Sequence, residues 1–119
     1  MGEVLYLNKT KRFTLDEARS LLPHVRKRTG QAVEEATPLI ETLQDSGLSN
    51  DERERVSQEL EEIINGWAND ITHIGAVAKG LWLVDFDSGG GYYCWRFDEA
   101  ELGFFHTYDD GFAGRTPIQ

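Results

Sequence analysis

The sequence predicts an α+β fold: a long antiparallel helical hairpin packed on a three-stranded antiparallel sheet. Three observations predict it. Apolar residues recur at helical steps of three, four and seven through two long segments ahead of Gly80. After Gly80 the period changes to two. Turn-rich clusters at Asp45–Asn50 and Ser88–Gly91 lie where such a chain has to reverse. The expected layout is one domain over 1–119, with the hairpin over about 14–79, the sheet over about 81–107 and an irregular tail over 108–119.

The first helix has a start signal. Thr14 suits the N-cap and Glu17 stands three residues on, the capping-box spacing. Asp16 and Glu17 suit the positive end of the helix dipole, and Phe13 can staple onto Ala18. Leu15, Ala18, Leu22, Val25, Ala32, Ala36 and Leu43 keep one face apolar. Pro23 and Pro38 interrupt this run, and each is a place for a kink or a break. Gly47 suits a helix C-cap, and Ser49 with Glu52 forms a second capping-box pair. Val56, Leu60, Ile63, Ile64, Trp67, Ile71, Ile74 and Val77 then carry the second helix to a stop at Lys79-Gly80. The short turn makes the helices antiparallel neighbours.

Leu81–Asp87, Tyr92–Phe97 and Glu101–Thr107 read as strands. Alternation of side chains tests their pairing. Setting Phe86 opposite Tyr93, Val84 opposite Trp95, Phe97 opposite Leu102 and Trp95 opposite Phe104 gathers one apolar face. The other face then holds Leu83, Asp85, Asp87, Tyr92, Cys94, Arg96, Glu101 and Phe105. On it Asp85, Arg96 and Glu101 fall within cross-strand reach and form a candidate ligand floor.

Composition narrows the classes of function. The formal charge is −9. Residues 1–30 hold seven Lys/Arg against three acids, so the remainder is strongly acidic. That argues against nucleic acid and anionic membranes as partners. Cys94 is the only cysteine, which excludes an internal disulfide and any zinc motif built on paired cysteines. The opening MGEVLYLNKTKR has no apolar run of signal-peptide or membrane-span length, so a cytoplasmic location is expected. No phosphate-binding loop, nucleophile elbow or metalloprotease helix is present.

The run Lys79-Gly80-Leu81-Trp82-Leu83-Val84-Asp85-Phe86 resembles the "GLVDF" segment of the domain-of-unknown-function 2203 family. Cys94-Trp95-Arg96-Phe97 with Glu99-Ala100-Glu101-Leu102 is similar to its "CWRLGEPEI" segment, and Phe105-His106 to its "WH" pair. Gly111-Phe112-Ala113-Gly114-Arg115-Thr116-Pro117-Ile118 resembles its closing "GFAGRRPI". Asp98, Ala100 and Phe105 depart from the family's usual Gly, Pro and Trp. The resemblance implies the fold and directs attention to the sheet and tail; it implies no activity.

Several constellations carry candidate chemistry. Asp85, Arg96 and Glu101 on the charged face, with Glu99 of the following turn and Arg115 of the tail, are candidate ligand-binding residues. Glu101 and His106 are candidate metal ligands, although five residues of spacing set them on opposite faces unless Gly103 forms a bulge. His24 and His73, with Asp70, can approach across the hairpin. Cys94 is a candidate nucleophile if a nearby cation lowers its pKa. Gly111–Arg115 can hold an anion, or place Phe112 as an apolar plug, which is the preferred reading. No catalytic residue is assigned. The favoured function is a non-enzymatic binding or interaction domain, homodimeric, taking a small anionic ligand or a protein partner. The alternative is a metal- or small-molecule-dependent site on the charged face, hydrolytic or acid–base in character. A divalent metal is not favoured.

Overall fold

The computed structural model describes residues 11–119. Lys9 of the basic start lies outside them. Among these residues two α-helices are followed by an antiparallel sheet, with a helical hairpin as expected. Helix α1 spans Leu15–Leu43 and α2 spans Asn50–His73. Both capping boxes form. Glu17 N–H donates to the Thr14 hydroxyl at 3.1 Å, and Thr14 N–H donates to the Glu17 carboxylate at 2.8 Å. Ser49 and Glu52 repeat the pattern at 3.1 and 3.2 Å. Each box satisfies two donors that the first helical turn leaves without partners.

Helix α1 runs through Pro23 and Pro38 without a break. Both prolines are exposed, where the lost hydrogen bond costs least. The hairpin is closed by Arg53, whose guanidinium donates to the Leu43 carbonyl at 2.8 Å and the Asp45 carbonyl at 2.9 Å. These carbonyls lie at the negative end of α1, which has no basic residue in its last turn.

Helix α2 ends at His73, earlier than the expected boundary near Lys79. Gly75 adopts φ +91°, and the chain turns back beneath Lys11, whose N–H donates to the Gly75 carbonyl at 3.0 Å. Val77 continues the helical spacing of apolar residues, but it is apolar for another reason: it pairs with Asp85 as part of an edge strand.

The sheet has five strands in sequence order, not three. They are β1 Val77–Gly80, β2 Leu83–Asp87, β3 Tyr92–Arg96, β4 Phe104–His106 and β5 Thr116–Pro117. The two additional strands are four and two residues long, too short to show a period. The pairings among these five strands are antiparallel, and an isolated parallel bridge joins Arg12 to Asp87. The β2–β3 register is the expected one, with Val84 opposite Trp95 and Phe86 opposite Tyr93.

The β3–β4 register differs from expectation by one residue. Cys94 faces Phe104, Tyr93 faces Phe105 and Tyr92 faces His106. A one-residue slip moves every side chain to the opposite face. Leu102 explains the difference. It is fully buried in the core but lies before the strand begins, so no sheet pairing is needed to place it. Its carbonyl accepts from the Arg19 side chain, and the Gly103 carbonyl accepts from Ile118 N–H at 2.8 Å.

The core lies between the hairpin base and the inner face of the sheet. Phe13, Ala18, Leu22, Val25, Trp67 and Ile71 meet Val84, Phe86, Trp95 and Leu102 there. The two buried indoles have polar partners. Trp67 Nε1 donates to Thr29 Oγ1 at 2.9 Å, and Trp95 Nε1 donates to the Glu99 carbonyl at 2.9 Å. Among the described residues, the tail 108–119 lies against the outer face of the sheet, where Asp109, Asp110, Gly111 and Phe112 line a pocket.

Candidate cation site on the outer sheet face

The observed registers put Asp85 opposite Cys94 and His106 opposite Tyr92, all on the outer face. Three donor types from three adjacent strands therefore converge: a carboxylate from β2, a thiol from β3 and an imidazole from β4. Their ligand atoms all lie within 4.8 Å of one another. Asp85 is 2% exposed, Cys94 1% and His106 5%. They sit at the wall of a cavity of about 310 Å³, which Lys79, Tyr92, Tyr108 and Phe112 help to enclose. Asp109 and Asp110 of the tail also line it.

The hydrogen bonds constrain the protons. His106 Nδ1 lies 2.8 Å from the Thr107 carbonyl, and Nε2 lies 3.0 Å from Asp85 Oδ2. A carbonyl only accepts, so Nδ1 carries a hydrogen. In a neutral ring Nε2 then presents a lone pair to a carboxylate oxygen. Two lone pairs at that distance require a proton or a cation between them. The other carboxylate oxygen, Asp85 Oδ1, is buried and accepts no hydrogen bond. Leaving a buried charged oxygen without a partner is costly.

The local field is negative. Burial pushes the Asp85 carboxyl up from its ordinary pKa, against the pull of the His106 charge. Burial, followed by the charge of Asp85, pushes the Cys94 thiol up to about 12, with Arg115 acting in the opposite direction. Burial and the charges of Asp87 and Asp85 also raise Tyr92. Tyr108 donates its hydroxyl to Asp87 at 2.6 Å, so a second carboxylate is held beside the pocket. Lys79 supplies a positive charge at the rim, 5.5 Å from the Tyr92 ring centroid.

The structure brings together only some of the residues expected to act together. Asp85 is in the site. Arg96 is exposed, pairs with Leu83 in the register and lies 5.8 Å from the Phe112 ring. Glu101 is exposed and lies outside the strands; with Arg19 and Arg26 it borders a different hollow, against α1. Glu101 therefore joins neither the expected Asp85–Arg96–Glu101 floor nor a metal pair with His106, while the expected β2–β3 register keeps Arg96 diagonal to Asp85. Strand β4 starts only at Phe104, so Glu101 takes no place in the sheet.

Glu99 and Arg115 are brought together, but as a clamp. Arg115 Nη1 and Nη2 donate to Glu99 Oε1 and Oε2 at 3.0 and 2.6 Å. The guanidinium lies 4.0 Å from the Phe104 ring centroid and 4.2 Å from that of Phe112. With its fork occupied by a carboxylate, Arg115 is not free to receive an anion. Phe112 is half-buried, with its ring 4.2 Å from the Arg115 guanidinium. His24 and His73 are both exposed, and Asp70 pairs with Arg28. A thiol raised to about 12 is not an activated nucleophile.

Sequence reasoning reached Asp85 and Cys94 as cross-strand neighbours and missed His106 as their partner. One signal favoured the other register: it gathers Asp85, Cys94 and His106, three polar donors, onto one face.

No helix among the described residues is long and apolar enough to cross a membrane. A family model described as "Uncharacterized conserved protein (DUF2203)" matches residues 11–118, and the chain belongs to that family. No curated protein and no solved structure matches it.

Proposed function

We propose that this DUF2203 protein is a non-enzymatic binding domain whose ligand is a small cation, taken into the outer sheet pocket against Asp85. The observation that carries this reading is the buried Asp85 Oδ1, which lacks a partner at the pocket wall. A cation supplies that partner. The acidic tail residues Asp109 and Asp110 and the rings of Tyr92, Tyr108 and Phe112 suit the same sign of charge. The anionic ligand expected from the sequence loses its main support, because Arg115 is engaged by Glu99 and Arg96 lies outside the pocket lining.

A thermal-melting screen with organic ammonium compounds and divalent metal chlorides tests the reading. A ligand at 100 times its Kd adds about 2.7 kcal/mol. For a domain of this size that raises Tm by roughly 10 °C. Asp85→Asn keeps the shape and removes the charge, so its Tm should not respond to the same cation. If no cation moves the wild type, or if Asp85→Asn responds equally, the reading is wrong.

A further inference from the structure

We infer that the cation is a zinc-class divalent metal ion, ligated by an Asp85 carboxylate oxygen, Cys94 Sγ and His106 Nε2. This inference rests on the cation-binding reading of the same pocket and names its ligand.

Four observations support it. The first is the donor set. One carboxylate, one thiolate and one imidazole suit a borderline-soft ion. Magnesium and calcium prefer six or more oxygen ligands, and a single buried carboxylate with sulfur and nitrogen beside it does not supply them. The second is position. The three ligand atoms fall within 4.8 Å of one another on three adjacent strands of one sheet, which holds them more firmly than a loop would. The third is the orientation of His106. Metal-bound histidines characteristically donate their other ring N–H to a carbonyl or carboxylate, and His106 Nδ1 makes that bond to the Thr107 carbonyl. The fourth is the unpartnered Asp85 Oδ1, a buried oxygen at the wall of the pocket.

Charge balances as well. The geometry places one proton between His106 Nε2 and Asp85 Oδ2, and the Cys94 thiol holds another. Coordination releases both protons and leaves Asp85 and Cys94 with two negative charges, which a divalent ion cancels. The buried group is neutral before and after binding, so no uncompensated charge is left in the sheet. Three protein ligands would leave a tetrahedral ion one further position, and all three ligand residues line the cavity together with Lys79 and Tyr108. That position can take water or a ligand atom.

The experiment uses the full chain with cobalt(II) chloride as a spectroscopic probe and zinc chloride as competitor. Cobalt should bind at one equivalent, giving a near-ultraviolet thiolate-to-metal band and the visible bands of a tetrahedral ion. One equivalent of zinc should abolish both. Cys94 is the sole cysteine, so the thiolate band identifies its own source. Cys94→Ser, checked for folding by circular dichroism, should lose that band. It should also weaken zinc binding by more than the roughly 100-fold that loss of an outer hydrogen-bond partner costs. If Cys94→Ser does not fold, wild-type stoichiometry and zinc displacement decide alone. Absence of a thiolate band, or zinc binding unchanged in a folded Cys94→Ser, overturns the inference. If ammonium compounds still raise the wild-type Tm while zinc does not, the metal is wrong and the cation pocket stands. If neither acts, both fall.

Discussion

Replacing Arg115 with methionine is expected to destabilise the protein by about 3 kcal/mol and to free the tail from the sheet. Methionine keeps much of the stem that packs between Phe104 and Phe112. It removes both hydrogen bonds to Glu99 and leaves a half-buried carboxylate without its counter-charge. Lysine is a poor replacement, because one ammonium cannot reproduce a bidentate fork stacked between two rings.

The pH dependence of this effect has a definite sign. Burial works to raise the Glu99 carboxyl, but the Arg115 hydrogen bonds and the Arg96 N–H outweigh it and hold the pKa below its ordinary 4.5. A folded-state pKa that is depressed adds stability above the unfolded value, and that stability is lost as pH falls through the folded one. The gap between wild type and Arg115→Met should therefore be full at neutral pH and shrink below about 4.5. Urea unfolding at several pH values reads it. Equal midpoints at neutral pH would show that the clamp contributes nothing to stability.

Gly91→Ala is expected to cost about 2 kcal/mol and to disturb the site specifically. Gly91 adopts φ +154°, which side chains rarely accept. An added Cβ would collide with the Phe105 ring and stand 2.6 Å from the His106 carbonyl. Relief requires β4 to move away from β3 beside His106, and that movement separates Nε2 from Asp85. Gly90→Ala is the control, since a Cβ there meets nothing within 4 Å. Gly91→Ala should lower Tm and blunt the response to cations, while Gly90→Ala should do neither. A Gly91→Ala protein with wild-type Tm and wild-type cation response would separate this glycine from the placement of His106.

The hairpin was legible because its signals are local. Thr14 with Glu17 and Ser49 with Glu52 need only three-residue spacing, and both boxes form. The β2–β3 pairing was legible because a short loop at Ser88–Gly91 ties the strands and the large residues Val84, Phe86, Tyr93 and Trp95 alternate consistently. The β3–β4 pairing was not, because its key apolar residue acts from a loop. Leu102 looks like the first inward residue of a strand and reaches the core before the strand begins. Counting from Leu102 turns Phe104 inward and places His106 on the wrong face. The end of α2 failed similarly: Val77 fits the helical period and the edge strand equally well. Short strands carry too few residues for a period to choose between such alternatives. That one-residue slip separated Asp85 and Cys94 from His106 on paper, and with it hid the site.

The nitrogen resonances of the His106 imidazole test the central claim most directly, recorded in long-range proton–nitrogen spectra of the folded chain with and without one equivalent of zinc. Before zinc, Nδ1 should be protonated and Nε2 should share a proton with Asp85, distinct from the solvent-exposed rings of His24 and His73. On adding zinc, Nδ1 should keep its hydrogen while Nε2 loses its own and shifts. A His106 ring indistinguishable from His24 and His73, and unmoved by zinc, would contradict its placement against Asp85 as a cation-binding pair.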